Sequence, residues 1–201
     1  AIVQGPPPGL SPSAVQGKRA ATAAAAYVRG ADRPELDRDS VSAVLAHLQT
    51  YRERKSGFSP RWLTQLLQNY MMPYYILHIK ERTRLEATLT LVDYLREHMI
   101  PKMYADDLHM LRLAHETESM VLNAEMILRA SLFRTESRGW HFREDYPVED
   151  DSQWLAWNQI FRGGDGVMQV TKRPVNAEWL PDAPLEHPKR WLAWEHPEGG
   201  M

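Results

Sequence analysis

No cysteine occurs anywhere in the 201 residues. That absence removes disulfides, thiolate zinc sites, cysteine-ligated iron–sulfur clusters and cysteine nucleophiles from the chain's repertoire, and it fits a reducing, cytoplasmic compartment. Charge of one sign is also lacking: 24 Lys and Arg stand against 26 Asp and Glu, for a formal net charge of −2. An electrostatic grip on nucleic acid or on a lipid surface is therefore not expected. No apolar run approaches the roughly 20 residues that a membrane helix needs, so no membrane insertion is expected. The opening "AIVQGPPPGL" has neither the basic start nor the apolar centre of a signal peptide. Ala1 rather than methionine begins the chain, as expected of a processed or truncated start. No G-x-G-x-x-G follows a strand, no P-loop is present, and no internal repeat is visible. What remains, 43% hydrophobic and 25% charged, is ordinary globular composition, enough for one good core or one domain with long extensions.

The pattern of that remainder is helical. Residues 1–12 are a Pro/Gly-rich entry. "SAVQGKRAATAAAAYVR" from Ser13 to Arg29 predicts an Ala-rich helix closed by Gly30, with Ser11 or Ser13 as its cap. Such a helix is marginal alone in water, so a partner surface is expected. A mixed helix follows over about 40–56. Ser59 then caps a helix with Pro60 at its first position, whose apolar stripe is Trp62, Leu63, Leu66, Leu67 and Tyr70. Pro73 breaks it. The spacing next predicts one long helix to about Met99, with Leu85, Leu89, Val92 and Leu95 inward and Lys80, Glu81, Arg82 and Arg84 outward. Pro101 ends it, Asp106 and Asp107 suit the positive start of another helix, and that helix carries Leu111, Ala114, Val121, Ala124 and Leu128 on one face to about Phe133. Farther on, "WLAWNQIFR" and "VMQVTKRPV" flank "GGDG", a strong hairpin signal. From Asn176 the chain is rich in Pro and Trp, and Trp179, Trp191 and Trp194 are expected to dock on a surface.

Three chemical possibilities arise from residue types and spacing. Asp106 with His109, and His115 with Glu118, share helix faces at i, i+3, as a bundle metal site requires, but the two pairs do not converge; surface pairing is the simpler reading. The Gly-rich backbone entering the first helix offers free N–H groups to a ligand oxygen, or simply a cap. The third is "RTESRGWHFREDYPVEDD", residues 134–151, with four Arg or His and six carboxylates around one glycine. Glu136, Arg138, His141 and Arg143 suit acid–base work or carboxylate binding. A salt-bridged turn bending at Gly139 is favoured over both.

The order of residues in that stretch carries a resemblance. "ASLFRTESRGWHFREDYPVEDDSQW" (130–154) resembles the R-x-E-S-R-G-x-H-x-R-x-D-x-P-x-x-D-D-x-x-W segment of the succinate dehydrogenase, fumarate reductase and L-aspartate oxidase flavoproteins. There it follows the last helix of a C-terminal three-helix domain. "VTKRPV" resembles, more weakly, the tail of the adenylylsulfate reductase flavoprotein subunit. "GLSPSAVQGKRAATAAAAYV" looks like the family turn and helix that lie against the pyrimidine end of the flavin, although Pro8 and Gly9 stand where the family has Asn and Ser.

The resemblance implies an enzyme part: the helical C-terminal portion of an FAD-dependent oxidoreductase that passes a hydride between flavin and a dicarboxylate or related substrate. It implies FAD as cofactor, with Gly9, Leu10, Ser11 and Ser13 at its edge. No catalytic residue and no metal ligand is carried over, because the family's catalytic groups lie outside this stretch. Arg134, Glu136, Ser137, Arg138, His141 and Arg143 form a structural clasp in this reading. The implied partners are an FAD-domain polypeptide or a missing N-terminal part, and an iron–sulfur subunit. Adenylylsulfate reductase-like chemistry and a non-catalytic helical assembly module are the alternatives. The expected fold is mainly α: an up-down-up three-helix bundle preceded by an Ala-rich helix and followed by a β-hairpin and an extended Pro/Trp-rich arm. The expected divisions are 1–38, 39–133 and 134–201.

Overall fold

A computed structural model of the chain describes residues 10–180, which fall into two units dividing between Leu48 and Gln49. The first unit holds α1 (Leu10–Gly30) and most of α2 (Arg38–Gln49). Helix α1 begins at Leu10, so Ser11 and Ser13 lie inside its first turns rather than capping it. Asp37 initiates α2 by accepting from the backbone of Asp39 at 3.2 Å and Ser40 at 3.1 Å. This helix stops at Gln49, short of the expected 56, because Tyr51 is buried and its carbonyl accepts from Ala105 N–H at 2.8 Å. A helix cannot continue through a carbonyl committed to a distant partner.

The second unit is built on a three-helix bundle of α3 (Pro60–Met71), α5 (Arg82–Tyr94) and α6 (Leu108–Phe133). Leu63 and Leu67 from α3, Leu85 and Val92 from α5, and Ala114, Val121, Ala124 and Leu128 from α6 are buried together, with Leu66, Tyr70, Leu89 and Leu111 partly buried against them. Trp62 of the expected α3 stripe is exposed and stacks on Phe58 instead. Two polar contacts pin the bundle across helices. Thr64 and Thr117 hydroxyls meet at 2.8 Å, and the fully buried Glu125 of α6 receives Arg96 at 2.6 Å and Arg129 at 2.7 Å. Asp107 starts α6 by accepting from Met110 N–H at 2.7 Å. Helix α6 ends at Phe133, as its sequence predicts.

The single long helix expected after Pro73 is instead five pieces: α4 (Tyr74–Leu77), β1 (Ile79–Lys80), α5, a π-turn (Leu95–Met99) and a 3-10 turn (Ile100–Lys102). The break has a tertiary cause. Strand β1 pairs in parallel with β2 (Phe142–Arg143), Ile79 opposite Phe142 and Lys80 opposite Arg143. That pairing takes residues 79 and 80 out of helical geometry, and Glu81 restarts the helix by accepting from Thr83 and Arg84 N–H. Lys80, expected to face outward, is buried for the same reason. A short α7 (Asp151–Trp154) leads into the expected hairpin of β3 (Ala156–Arg162) and β4 (Met168–Pro174), paired from Ala156–Pro174 to Arg162–Met168. A 3-10 turn at Ala177–Trp179 closes the described region. Trp191 and Trp194 lie outside the described residues. No helix among the described residues is long and apolar enough to cross a membrane.

Candidate functional site: the charged joint after the last bundle helix

At the end of α6 the last carbonyls have no helical N–H partners, and the charged stretch supplies them. Arg143, fully buried, donates through Nη1 to the carbonyls of Ser131 at 2.6 Å and Arg134 at 3.2 Å. Its Nε and Nη2 fork onto both oxygens of Asp145 at 2.7 and 2.6 Å, and its guanidinium lies 5.0 Å from the centre of the Tyr146 ring. One side chain thus closes a helix, binds a carboxylate bidentately and covers an aromatic face. The Asp145 carboxyl feels burial pushing its pKa up, but the Arg143 bonds and the Arg82 N–H hold it below its ordinary value.

Glu136 is the second centre and is also fully buried. It binds Arg134 through Nε at 2.8 Å and also through Nη2, and it binds Arg138 through Nε at 2.9 Å and Nη2 at 3.0 Å. The N–H of Asp150 adds a bond at 2.8 Å. Burial opposes its ionisation, yet the bonds from Arg138, Asp150 and Arg134 outweigh that penalty and its pKa is lowered. Arg138 extends the network to Asp151 at 2.6 Å, and its pKa is raised, chiefly by Glu136. Arg134 continues outward to the carbonyls of Trp154 at 2.7 Å and Ala156 at 3.0 Å. The Trp154 ring carries Arg134 at 5.5 Å and Lys172 Nζ at 3.6 Å from its centre, so the hairpin is tied to the joint through one buried indole.

Backbone shape follows from two residues. Ser137, fully buried, accepts from Arg143 N–H at 2.8 Å and bonds the Tyr146 carbonyl at 2.8 Å, holding two limbs of the loop together. Arg138 and His141 exchange both backbone bonds, at 2.8 and 2.9 Å, across a two-residue turn. Gly139 takes φ +59° at its first central position, the left-handed conformation such a turn needs. His141 Nε2 meets the Arg134 carbonyl at 3.2 Å. Burial pushes its pKa down, and the nearby charges of Lys80, Arg143 and Arg134 add to that despite the Arg134 bond, to about 4. His141 is thus neutral at pH 7, with Nε2 donating.

All six residues of the sequence-derived clasp therefore converge: Arg134, Glu136, Ser137, Arg138, His141 and Arg143. As chemistry the arrangement is largely committed to holding itself together. Each guanidinium is committed to a carboxylate, and His141 is a neutral donor spent on a carbonyl. Lys80, whose pKa burial lowers with help from Arg143, is a member that local spacing does not reveal. Its place depends on β1–β2 pairing across some sixty residues of sequence. Trp140 stands 86% exposed at the turn tip.

The remaining sequence-derived sites are not brought together with the joint. Asp106 and His109 are exposed. His115 Nδ1 lies 3.5 Å from Glu118 Oε2, a pair along one helix. Gly9 lies outside the described residues. Leu10 and Ser11 open α1, and Ser13 is exposed one turn in.

Comparison with known proteins follows this geometry. Residues 65–190 match the family model described as the fumarate reductase flavoprotein C-terminus. A Mycobacterium tuberculosis fumarate reductase flavoprotein subunit is 39% identical over 67 residues, 33% of this chain and 12% of that protein. Adenylylsulfate reductase from Archaeoglobus fulgidus superposes with a TM-score of 0.70 at 25% identity, covering 80% of this chain and 28% of that one. The Mycobacterium smegmatis Sdh1 complex gives 0.69 at 26% identity, covering 81% and 28%. The chain therefore spans only a minor fraction of the length of these relatives. Its three-helix bundle, its hairpin and the ordered R-x-E-S-R-G-x-H-x-R joint between them make this chain a member of the fumarate reductase/succinate dehydrogenase flavoprotein family, corresponding to the family's C-terminal domain.

Proposed function

We propose that the chain is the non-catalytic helical part of an FAD-dependent oxidoreductase, holding the flavin-bearing part of the enzyme in place while the reacting groups come from outside it. The commitment of Glu136 and Arg143 to internal partners carries this reading. Glu136 accepts from two arginines and a backbone N–H, and Arg143 spends its donors on Asp145 and the end of α6. Groups so committed to one another orient a fold rather than serve a substrate. The joint turns the chain out of α6 and fixes the hairpin against the bundle, which presents a rigid face to the flavin domain.

The first turn of α1 fits a contact with FAD at its edge. It contains no acidic residue, so the positive end of the helix is left for a ligand oxygen. Leu10 and Ser11 would offer backbone N–H groups, with Gly9 before them, whereas Pro12 has none. Ser13, already inside the helix, would contribute only its hydroxyl. Bound FAD would supply the hydride chemistry, on a dicarboxylate or related substrate. The remaining flavoprotein and an iron–sulfur subunit are the proposed companions.

The test is to supply the rest of the flavoprotein as a second polypeptide. We expect a yellow complex whose flavin is bleached by succinate, or reoxidised by fumarate, with this chain required for stable flavin retention. The likeness to adenylylsulfate reductase favours a second reading, sulfur-oxyanion chemistry, and bleaching by sulfite plus AMP instead of succinate would select it. A complex that never holds flavin would leave a plain assembly module.

A further inference from the structure

One arrangement recurs in this chain: a guanidinium laid over an aromatic ring while bound to a carboxylate. Arg134 lies 5.5 Å from the Trp154 ring centre and binds Glu136. Arg143 lies 5.0 Å from the Tyr146 ring centre and forks onto Asp145. A second regularity concerns the glutamates. Glu125 holds two arginines, Arg96 and Arg129, and Glu136 holds Arg134 and Arg138.

A third set of the same parts is present but incomplete. Trp140, 86% exposed, lines a cavity of about 510 Å³ together with Tyr74, His78, Phe142 and Glu144. The Tyr74 and His78 rings stack at 4.9 Å and give the cavity an aromatic wall. Glu144 accepts one hydrogen bond among the described residues, from Arg84 Nη2 to Oε1 at 2.8 Å, which leaves Oε2 open. Among the described residues no cation lies over the Trp140 ring.

We propose that this cavity is a socket for an arginine side chain from the rest of the flavoprotein, its guanidinium lying on the Trp140 indole and donating to Glu144 Oε2. The proposal rests on the docking role given above. Arginine is the side chain that satisfies both parts of the socket. An apolar residue would leave the carboxylate oxygen unserved, and a lysine presents no flat face to the rings. Glu144 would then hold two guanidiniums, as Glu125 and Glu136 do.

The test begins with the chain alone. Its Trp140 indole N–H resonance, identified by its loss in Trp140→Phe, is followed during titration with ethylguanidinium and, separately, with ethylurea. A saturable shift is expected with the cation only, and binding about tenfold weaker in Glu144→Gln, where a charged hydrogen-bond partner is lost. Equal response to both probes, no response, or unchanged affinity in Glu144→Gln overturns the socket. The second arm uses the companion polypeptide. Trp140→Ala, a change at a solvent-facing tip whose fold is checked by circular dichroism, is expected to weaken association about tenfold. Unchanged association overturns the assignment of the arginine to the companion. A wild-type chain that binds the probe but never the companion removes the docking role itself, and the source of the arginine with it.

Discussion

Replacing Arg143 by methionine keeps the length and most of the volume of the side chain while deleting its five donors. The losses can be read from the structure. Asp145 loses both bonds of a bidentate pair, at 2.7 and 2.6 Å. The carbonyls of Ser131 and Arg134, at the C-terminal end of α6, lose donors at 2.6 and 3.2 Å. Tyr146 loses the cation over its ring. Arg143 is fully buried, so water does not readily replace these contacts. Removing one member of a buried charge pair costs about 3–5 kcal/mol. In a domain of this size each kcal/mol lowers Tm by about 2–4 °C, which gives a fall of about 6–20 °C. Urea unfolding followed by far-ultraviolet circular dichroism at pH 7 measures the effect. The pH dependence adds a second signature. Asp145 has a lowered folded pKa, so its pairing stabilises the fold above the ordinary carboxylate range and is lost as pH falls through the lowered value. The gap between wild type and Arg143→Met should therefore be full at pH 7 and shrink on acidification. A variant within about 1 kcal/mol of wild type at pH 7 would refute the view that this arginine holds the joint.

Four further outcomes follow from other residues. His141, with its pKa pushed down to about 4 from 6.5, stabilises the fold while neutral. That stability is complete above about pH 6.5 and is lost as pH falls toward 4, by up to about 3 kcal/mol; His141→Gln should flatten this part of the stability profile, and an imidazole titrating near 6.5 by NMR would contradict it. Gly139→Ala meets no atom within 4 Å but must hold φ +59°, so a loss of only about 1–2 kcal/mol is expected. Gly57→Ala would place its Cβ 2.0 Å from the Lys102 carbonyl oxygen and should lose clearly more in the same urea melts. Lys172→Met should cost about 0.5–1 kcal/mol through the Trp154 ring contact, and it should speed amide exchange in β3 and β4 before that of the bundle.

The sequence by itself determined the buried leucine, valine and alanine positions of the helical stripes, the start of α3 at Ser59 and Pro60 (although the Ser59 side chain makes no capping bond), the breaks at Pro73 and Pro101, the acidic start at Asp107, the end of α6 at Phe133, and the hairpin around "GGDG". All of these are local: a period of 3.6 or 2, a missing N–H, a residue tolerant of a turn. It also determined family, because the order of residues from Arg134 to Trp154 is itself the signal. Only the tertiary structure decided that 73–99 is not one helix. The spacing of Leu85, Leu89 and Val92 says nothing of a two-residue parallel pairing with Phe142 and Arg143 far along the chain. The same pairing turned Lys80 from an outward charge into a buried one. The joint shows the division most clearly. Its charges were legible, and a salt-bridged turn was their simplest reading, but which arginine meets which acid was not. Arg143 passes the nearer Glu144 and takes Asp145, and Glu136 gathers Arg134 and Arg138. Each choice follows from where α6 ends and the loop returns, and charge acts over distances that only the folded backbone sets.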